Sequence, residues 1–385
     1  MSTIKLFEKP LGMRDTFPQT YEKLEAIRAK GRHFLYAHGY DFIKTPSVEY
    51  YDTVGKASAI EDASLFKLVD NQGNMLVLRP DMTTPIARIA TAKLLKEKIP
   101  QRLAYFASVF RAQQTEGGRP AEFEQMGIEF IGDSSVFADV EVIILAIQLL
   151  QQLGVESFTV TIGHAHVLQA ILQQYTMSGE QANSLRQLLV ERNYVGFEET
   201  VKSFDLQREN SEILLQFIEE AANAKSIFNI EKYVVDENTL TYIYELERLL
   251  KQANVMDYIT FDFTLTSSMN YYTGMLFEVF AVGSGFPLGN GGRYDGLLAQ
   301  FGSEVGATGF GFRVDRLLEV VQTNEPTVAT TLLLFEPHLY KEALQHATKL
   351  RAVGRRVTLQ AISSLTNVTA YKAQFSEVVY VQEEE

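Results

Sequence analysis

The pattern of apolar and polar residues predicts a β-hairpin between residues 105 and 132. Two strands flank a polar loop that contains two consecutive glycines and ends at Pro120, a composition typical of a hairpin connection. Successive side chains of a strand lie on opposite faces of the sheet. The second strand therefore has an apolar face, formed by Met126, Ile128 and Phe130, and a second face, formed by Phe123, Gln125, Gly127 and Glu129.

The second face of this strand carries candidate chemistry, because an amide and a carboxylate lie on either side of Gly127. A glycine inside a strand often marks the close approach of a ligand or of another backbone. Arg111, at the end of the first strand, adds a planar cation that can hold a carboxylate or a phosphate through two hydrogen bonds. Residue types alone are equally compatible with a ligand-binding face and with an ordinary solvated sheet face.

Similar patterns predict the other helices and strands of the chain. Apolar residues at helical spacing predict helices at residues 18–38, 84–95, 139–153, 180–191, 211–224, 240–252 and 339–353. Alternating or continuous apolar runs predict strands at residues 41–45, 65–69, 75–78, 157–162, 258–266, 271–282, 306–312, 331–335, 357–360 and 378–381.

Changes in this pattern along the chain predict three regions. Residues 177–255 carry helical periodicity and many charges with no glycine-rich loop, which predicts a helical insertion. Since β-structure lies on both sides of it, residues 1–176 and 256–322 are predicted to form one core. A short linker at residues 323–327 leads into residues 326–385, whose strands and helix predict a small α/β domain.

Length and composition narrow the class of protein. The 385 residues suffice for two or three domains, and 46% hydrophobic with 22% charged residues is an ordinary globular balance. No apolar run approaches the ~18 residues of a membrane span, and the N-terminus lacks the apolar core of a signal peptide. The absence of cysteine excludes disulfides and thiolate zinc sites. We therefore expect a cytoplasmic protein with no membrane partner.

The pair His164 and His166 is the sequence's candidate for a metal site. Zinc sites use three or four protein ligands, and no cluster that would supply a third ligand lies near this pair in the sequence. We expect both histidines to lie in the core or at a helix start, and we predict no metal site.

Net charge bears on the possible partners. Lys and Arg number 35 against 48 Asp and Glu, so the formal net charge is −13. Binding to a nucleic acid depends on cations that neutralise phosphates, although an acidic protein can still carry a local basic patch. Residues 326–385 contain six Lys or Arg and six Glu, so this region is neutral and attracts an RNA backbone poorly.

Asp81 and Thr83 form a second candidate site after the predicted strand 75–78. Two residues apart in an extended segment, their side chains point the same way and can accept hydrogen bonds from an ammonium group. Alternatively, Asp81 or Thr83 caps the N-terminus of the predicted helix 84–95. Residue types alone favour the cap.

Two further stretches suggest ligand contacts. Tyr271 and Tyr272 are adjacent in the predicted strand 271–282, so at most one of them lines a pocket from the sheet face, and both only at its rim. Tyrosine is also ordinary β-sheet composition. The glycines between Gly289 and Gly296 let a ligand approach the backbone closely, although a glycine turn alone is a weak signal.

Taken together, these stretches resemble the motifs of the histidyl-tRNA synthetases, a class II synthetase family. Residues 18–49, 105–132 and 306–318 resemble motifs 1, 2 and 3, and residues 270–274 and 291–297 resemble the two histidine-binding motifs. The resemblance implies an α+β fold, with a class II synthetase-like antiparallel sheet flanked by helices. It also implies a helical insertion and a truncated anticodon-binding-like α/β domain at the C-terminus.

The resemblance implies roles for individual residues. In the family, motif 1 forms a homodimer interface, and the motif 3 arginine, Arg316 here, binds ATP phosphate. The residues at the family's histidine-contacting positions are Asp81, Thr83, Arg111, Gln125, Glu129, Tyr271 and Tyr272. Asp81 stands where the family has glutamate. Glu129 and a tyrosine together suit the two nitrogens of an imidazole ring.

Four positions depart from the family's pattern on the nucleotide side. Ser267 aligns with the arginine that stabilises the developing charge, and losing one such group typically costs about two to three orders of magnitude in rate. Gln113 replaces an acid of motif 2, Ala121 replaces the second arginine of its loop, and Arg313 replaces a glycine of motif 3. The amino-acid pocket is kept, whereas the catalytic groups are lost.

This combination resembles the histidyl-synthetase-like regulatory subunits of ATP phosphoribosyltransferase, the enzyme of the first step of histidine biosynthesis. The resemblance implies a non-catalytic protein without a cofactor. Such a protein assembles with a short catalytic subunit into a hetero-oligomer and mediates feedback inhibition by histidine, its allosteric effector. A homodimer core through motif 1 is implied, and tRNA binding is not expected. Two alternatives stay open: an active histidyl-tRNA synthetase and a stand-alone histidine sensor.

Overall fold

The computed structural model describes residues 7–112, 120–222, 230–234, 236–266, 271–322 and 330–382. The chain divides into two compact units, Met1–Gln322 and Thr323–Glu385. The first unit contains two sheets and two clusters of buried apolar residues, and the second unit contains one of each.

A large sheet forms the centre of the first unit. The strands that the structure describes in this unit are β1 (Asp41–Phe42), β2 (Val48–Tyr50), β3 (Lys67–Val69), β4 (Met75–Leu78), β5 (Gln101–Phe110), β6 (Glu122–Ile131), β7 (Phe158–His164), β8 (Ile259–Phe261), β9 (Met275–Ala281), β10 (Gly289–Arg293) and β11 (Ala307–Arg313). Eight of them form one sheet in the order β1–β5–β6–β11–β10–β9–β7–β8. Its neighbouring strands are antiparallel except for the outer pairs β1–β5 and β7–β8. The other three form a small antiparallel sheet in the order β2–β4–β3.

Helices surround this sheet. Their bounds are α1 (Pro18–Ala37), α2 (Thr83–Ile89), α3 (Leu95–Glu97), α4 (Val136–Leu153), α5 (Ala165–Tyr175), α6 (Gly179–Val190), α7 (Tyr194–Ser203), α8 (Arg208–Ala221), α9 (Glu237–Gln252), α10 (Asp295–Gln300) and α11 (Val314–Val320). Pro18 occupies the first turn of α1, where its missing amide donor is not needed. Gly154 ends α4 in the left-handed conformation that glycine adopts readily.

The two faces of β6 are buried in different apolar clusters. Met126, Ile128 and Phe130 join the larger core, which also contains residues of α1, α4 and the predicted insertion. Phe123, on the second face, joins a smaller cluster with Tyr105 and residues of α2 and α10. The predicted apolar face is therefore a core face. The second face is covered as well, so it is not the solvated face that residue types alone allowed.

Helix α4 corrects the expectation that no apolar stretch reaches the length of a membrane span. Among the described residues, it is the one helix long and apolar enough by length and composition to cross a membrane. However, 61% of it is buried inside the fold, as in the core helix of a soluble protein.

The predicted insertion contains α6 to α9. The helices predicted at residues 180–191, 211–224 and 240–252 correspond to α6, α8 and α9, whereas α7 was not predicted. Gly196 in its first turn lowers helix propensity, but the side chain of Asn193 caps the helix by accepting a 2.8 Å hydrogen bond from the Gly196 amide. The division between core and insertion stays a prediction, because both lie in the same compact unit.

The segment before β9 differs from its prediction. This strand starts at Met275, so Tyr271 and Tyr272 precede it instead of lying within it. The amide of Thr273 donates a 2.8 Å hydrogen bond to the carbonyl of Arg293, which holds this segment beside the end of β10. The two tyrosines therefore do not have to point to opposite faces of a strand.

In its described residues, the second unit contains a parallel sheet and two α-helices. Its strands, β12 (Thr330–Phe335), β13 (Arg356–Ala361) and β14 (Glu377–Tyr380), pair in the order β13–β12–β14. Helices α12 (Tyr340–Ala352) and α13 (Val368–Lys372) lie between the strands in sequence. Leu333, Ala347 and Val357 form its buried cluster. This order of elements has the α/β character expected for residues 326–385.

Candidate ligand-binding site

A small pocket lies on the sheet face that carries Gln125 and Glu129. Its walls come from the start of α2, from β5, β6, β10 and β11, and from the segment before β9. The residues that line it are Asp81, Thr83, Tyr105, Gln125, Glu129, Tyr271, Tyr272, Asn290, Tyr294, Gly309, Phe310 and Gly311. Six of the seven residues at predicted ligand-contacting positions thus lie together, although they come from three separate parts of the sequence.

Glu129 is the buried carboxyl group of this pocket, with a relative exposure of 1%. It accepts a 2.7 Å hydrogen bond from the Thr83 hydroxyl and another from the Tyr294 hydroxyl. Burial raises the pKa of Glu129 to about 8, an effect larger than the opposing effect of these two donors. At neutral pH the Glu129 carboxyl group of the free protein is therefore mostly protonated.

Asp81 combines two roles that the sequence presented as alternatives. Its Oδ1 atom accepts a 2.7 Å hydrogen bond from the amide of Thr84, so it caps the start of α2. Its Oδ2 atom accepts one of 2.7 Å from the hydroxyl of Ser58. Asp81 also lines the pocket, because the first turn of α2 forms part of the pocket wall. Asp81 can therefore cap α2 and contact a ligand at the same time.

Gln125, which lines the pocket, and Arg111, which does not, each have a buried polar atom without a hydrogen-bond partner among the described residues. One is an acceptor, Oε1 of Gln125, and the other is a donor, Nη2 of Arg111. The Nε atom of Arg111 donates a 2.9 Å hydrogen bond to the carbonyl of Pro80. Burial lowers the pKa of Arg111, and nearby Asp81 opposes this effect. Since buried polar atoms are nearly always hydrogen-bonded, this acceptor and this donor suit a polar ligand.

Tyr271 and Tyr272 both line the pocket. The predicted strand 271–282 starts later than expected, because both tyrosines precede β9, so neither lines the pocket from the face of this strand. Their ring centres are 4.9 Å apart, and the Tyr271 ring lies 5.8 Å from that of Tyr294. The Tyr272 hydroxyl accepts a 2.8 Å hydrogen bond from the side-chain amide of Asn290. A group of three aromatic rings therefore encloses one side of the pocket.

Glycines make room for the polar side chains on the sheet. A Cβ atom at Gly309 would overlap the Glu129 carboxylate, and one at Gly127 would overlap the Phe310 carbonyl and the Tyr105 hydroxyl. Gly127 therefore marks the close approach of another backbone, which is one of the two possibilities that the sequence left open.

The pocket is narrow. Its volume is about 20 Å³, which is room for roughly one water molecule. A ligand the size of an amino acid therefore fits only after lining side chains move. Tyr271 and Tyr272 are the best candidates to move, because they lie outside the regular strands and helices.

Three side chains of the pocket were not among the predicted site residues: those of Tyr105, Asn290 and Tyr294. Tyr105 lies opposite Gly127 in the register of β5 and β6, so the alternation of β5 could have placed it on this face. Asn290 and Tyr294 belong to the glycine-rich run, for which we predicted an approach to the backbone and not side-chain contacts.

On the predicted nucleotide side, Arg313 covers an aromatic ring. Its guanidinium carbon lies 3.5 Å from the ring centre of Phe123, and two of its nitrogens donate hydrogen bonds of 3.1 and 2.8 Å to Asp315. Arg316 donates a hydrogen bond to the carbonyl of Pro287. A contact between Arg316 and phosphate stays a prediction.

The other departures from the family's pattern are only partly described. Ala121 is buried, and its amide donates a 2.8 Å hydrogen bond to the carbonyl of Gly12. Gln113 and Ser267 lie outside the described residues.

The histidine pair lies in the first unit, and neither histidine lines the pocket. The ring centres of His164 and His166 are 5.9 Å apart. His164 is buried, and burial lowers its pKa to about 3. In the part of the chain that the structure describes, no group of three or more His, Asp or Glu side chains is placed to hold a metal ion.

Comparison with known proteins defines the class of protein. Residues 12–317 match the family model described as histidyl-tRNA synthetase, and residues 332–383 match the C-terminal domain of histidyl-tRNA synthetase HisZ. The structure of histidyl-tRNA synthetase from Nostoc sp. PCC 7120 aligns with a TM-score of 0.78, covering 97% of this chain and 89% of that chain at 18% identity. The α+β, class II synthetase-like fold is therefore confirmed.

Two relatives define the family within this class. The ATP phosphoribosyltransferase regulatory subunit of Lysinibacillus sphaericus (strain C3-41) is 64% identical over 381 residues, 99% of each chain. The structure of an ATP phosphoribosyltransferase regulatory subunit/histidyl-tRNA synthetase from Bacillus halodurans C has a TM-score of 0.91 and 41% identity over 100% of both chains. The chain belongs to the family of ATP phosphoribosyltransferase regulatory subunits. It is a regulatory subunit and not an enzyme by itself.

Proposed function

We propose that this subunit binds free histidine in the pocket around Glu129 and thereby regulates a short catalytic subunit of ATP phosphoribosyltransferase. The arrangement of polar groups carries the proposal. A buried carboxyl group, Glu129, lines the pocket together with Gln125, and Arg111 lies near Asp81. Among the described residues, Gln125 has an acceptor and Arg111 a donor without a hydrogen-bond partner. These groups complement the imidazole, the ammonium and the carboxylate of histidine.

The imidazole ring fits the environment of Glu129. A neutral imidazole presents one donor and one acceptor nitrogen, and its protonated form carries a charge that a carboxylate can neutralise. Glu129 takes one ring nitrogen, and the hydroxyl of Tyr271 takes the other. A cation next to this buried carboxylate offsets the desolvation that raises its pKa, so the pair is favourable inside the protein.

The amino and carboxylate groups of histidine fit the other side chains. Asp81 and the Oε1 atom of Gln125 accept hydrogen bonds from the ammonium group, and Arg111 donates to the carboxylate. Arginine suits this task because its planar guanidinium can make two parallel hydrogen bonds to a carboxylate. Binding of this kind requires neither a metal ion nor a cofactor.

The small volume of the pocket provides a route from binding to regulation. Because histidine fits only after the tyrosine segment moves, the free and bound states differ in shape. A partner that binds one of the two states more tightly is then coupled to histidine, typically by about 1–3 kcal/mol, and the coupling is reciprocal. Histidine then inhibits the first step of its own biosynthesis if the catalytic subunit is less active when it is associated with the histidine-bound form of this subunit.

A homodimer core belongs to the same proposal. The small sheet buries Glu49 and Val77 on one face. Its other face carries Val48, Tyr50 and Leu68, which are 42%, 55% and 42% exposed. These three residues define the apolar sheet face, which lies at the predicted motif 1 region. A second copy of this chain is its proposed partner, since twofold-symmetric contacts pair the same patch on both subunits.

Other ligands and roles are less well supported. The net charge of −13 argues against tRNA, because polyphosphate binding needs a surplus of cations. An active histidyl-tRNA synthetase is not favoured, since the relatives at high identity are regulatory subunits. A stand-alone histidine sensor would use the same pocket without the catalytic partner. We also propose that the protein is cytoplasmic. Its proposed domains are residues 1–176 together with 256–322, residues 177–255, and residues 326–385.

Reconstitution with a short catalytic subunit tests the proposal. The phosphoribosyltransferase rate is measured with and without this chain while histidine is titrated. We expect this chain to raise the rate and to confer inhibition by histidine. A rate and a histidine sensitivity that are unchanged by the chain contradict the regulatory role. Inhibition that persists fully with the Glu129→Ala variant contradicts the proposed binding site.

A further inference from the structure

A buried ion pair connects the predicted insertion with the strands of the pocket. Asp139, in the first turn of α4, is fully buried. Its Oδ2 atom accepts hydrogen bonds of 2.8 Å from Nε of Arg293 and 2.6 Å from the hydroxyl of Tyr242. Tyr242 lies on α9 and Arg293 is the last residue of β10. Three elements that are distant in sequence thus meet at one carboxylate oxygen.

The guanidinium of Arg293 makes several other hydrogen bonds. It donates to the carbonyls of Asp133 and Ser135 at 3.2 and 3.1 Å and to the carboxylate of Asp295 at 3.2 Å. The Asp295 carboxylate in turn accepts a 2.8 Å hydrogen bond from the amide of Ala307. The side chain of Arg293 therefore fixes the end of β10 against both the turn before α4 and the start of β11.

The backbone next to Arg293 holds two walls of the pocket. Its carbonyl accepts the 2.8 Å hydrogen bond from the amide of Thr273, the residue after Tyr272. The residue after Arg293 is Tyr294, whose hydroxyl donates to Glu129. A displacement of Arg293 therefore moves both an aromatic wall and a hydrogen-bond donor of the pocket.

We propose that Tyr242 and Asp139 are positioning residues for the pocket, through which helix α9 of the insertion sets the affinity for histidine. The inference rests on the proposed histidine-binding function. A buried ion pair is often no more stabilising than apolar residues of the same volume, but its hydrogen bonds are directional and fix one arrangement of Arg293. Tyr242 supplies the contribution of α9 to this arrangement, because its hydroxyl stabilises the carboxylate that orients the guanidinium.

The variant Tyr242→Phe, which removes one hydroxyl and keeps the ring, tests this proposal. Tyr233→Phe is the matched control, because the Tyr233 hydroxyl also donates to a carboxylate of the insertion, that of Glu220, at 2.9 Å. Three quantities are measured on the whole chain: the thermal unfolding midpoint, the Kd for histidine, and the hydrogen-exchange rates of the Thr273 and Tyr294 amides. We expect both variants to lower the midpoint. Only Tyr242→Phe should raise the Kd, by at least about fivefold, and accelerate exchange at both amides.

The outcomes separate this inference from the proposed function. If Tyr242→Phe binds histidine as tightly as the wild type and exchanges at the same rates, then Tyr242 is only a structural residue and the inference is overturned. Equal effects of both variants on the Kd overturn it as well. If the wild type does not bind histidine, the proposed function fails, and unchanged amide exchange in Tyr242→Phe would then refute the positioning role independently.

Discussion

The hydroxyl of Thr83 donates a 2.7 Å hydrogen bond to the carboxylate of Glu129. This contact joins the start of α2 to β6 and, together with the bond from Tyr294, fixes the titratable group of the pocket. Burial raises the pKa of Glu129 to about 8, so its charge changes within a pH range where the protein can be studied. Both the affinity for histidine and the stability of the fold should depend on pH through this residue.

The affinity for histidine should be greatest between about pH 6.5 and pH 8. The imidazole of free histidine is neutral above about pH 6.5, and Glu129 keeps its proton up to about pH 8. In this range the proton of Glu129 moves to the imidazole ring of histidine on binding. The ion pair between the Glu129 carboxylate and the protonated ring therefore forms without net uptake of a proton. At higher pH a proton must come from solvent and at lower pH one must be released, so affinity falls by up to about tenfold per pH unit on either side.

Calorimetric titrations from pH 5.5 to 9.5 measure this profile. The variant Glu129→Gln is the control, since it has no carboxyl group to titrate. Its weaker affinity should fall less steeply above pH 8 than that of the wild type, because only the ammonium group of histidine then loses its proton. A wild-type affinity that stays constant from pH 8 to pH 9.5 would contradict the assignment of the ion pair.

Glu129 should also make the fold less stable as the pH rises. Its pKa in the folded state, about 8, lies above the value of about 4.3 for an unfolded chain. The stabilisation is therefore complete below about pH 4 and is lost as the pH rises through 8. From pH 6 to pH 8 the loss is about 2 kcal/mol. Between pH 6 and pH 8, the urea concentration at the unfolding midpoint should fall more for the wild type than for Glu129→Gln. An equal fall in the two proteins would contradict this prediction.

Substitutions of Asp81 should separate its cap from its ligand contact. Asp81→Ala removes the acceptor for the Thr84 amide and should lower stability by about 1 kcal/mol, with loss of histidine binding. Asp81→Asn keeps a side-chain oxygen for the cap but loses the charge that attracts an ammonium group. We expect near wild-type unfolding and a Kd raised about tenfold, since hydrogen bonds to charged groups contribute about 1.5–3 kcal/mol. An unchanged Kd in Asp81→Asn would remove Asp81 from the binding site.

Replacing Arg313 by glycine should expose the face of the Phe123 ring, on which an adenine ring can then stack. The guanidinium of Arg313 now stacks on Phe123, where the resemblance to the synthetases implies a small residue. Base–aromatic stacking is worth about 1–3 kcal/mol, so Arg313→Gly should bind ATP at least about fivefold more tightly than the wild type. Arg102→Gly is the matched control, because Arg102 also stacks on a ring, that of Phe130, at 4.0 Å. Equal ATP binding by the wild type and both variants would contradict the prediction that Arg313 prevents an adenine ring from stacking on Phe123.

A charge on the apolar sheet face should dissociate the homodimer. Tyr50→Glu places a carboxylate among Val48 and Leu68, which a second copy cannot bury without a partner charge. Sedimentation velocity should show a dimer for the wild type and a monomer for the variant. Tyr194→Glu serves as the control, because Tyr194 is also partly exposed, at 42%, but lies on α7. A variant that remains dimeric would place the interface elsewhere.

The alternation of side-chain directions along a strand was enough to predict much of the site. The period of two along β6 identified the face with Gln125 and Glu129, because side-chain direction in a strand depends on neighbouring residues only. The same argument failed for Tyr271 and Tyr272. Their conformation depends on the hydrogen bond between Thr273 and Arg293, a contact between residues that no local pattern relates.

Long-range contacts account for the rest of what the sequence did not predict. Nothing in the separate motifs indicated that Thr83 and Tyr294 would donate to Glu129, because these residues meet only when α2, β6 and the end of β10 assemble. The small volume of the pocket depends on the packing of several side chains. Asp139 and Tyr242 formed no recognisable motif at all, since their pairing joins helices that are about a hundred residues apart.

Calorimetric titration of histidine into the wild-type chain and into Glu129→Ala tests the central claim most directly. We predict measurable binding to the wild type, and a loss of at least about 1–3 kcal/mol in the variant, because the buried imidazole would then lack a partner. The variant should unfold at a lower temperature than the wild type, because Thr83 and Tyr294 lose their acceptor. Cooperative unfolding of both proteins above the temperature of the titration shows that a loss of binding is not a loss of fold. Equal affinities in the two proteins, or no binding to the wild type, would contradict the claim that this pocket is the histidine site.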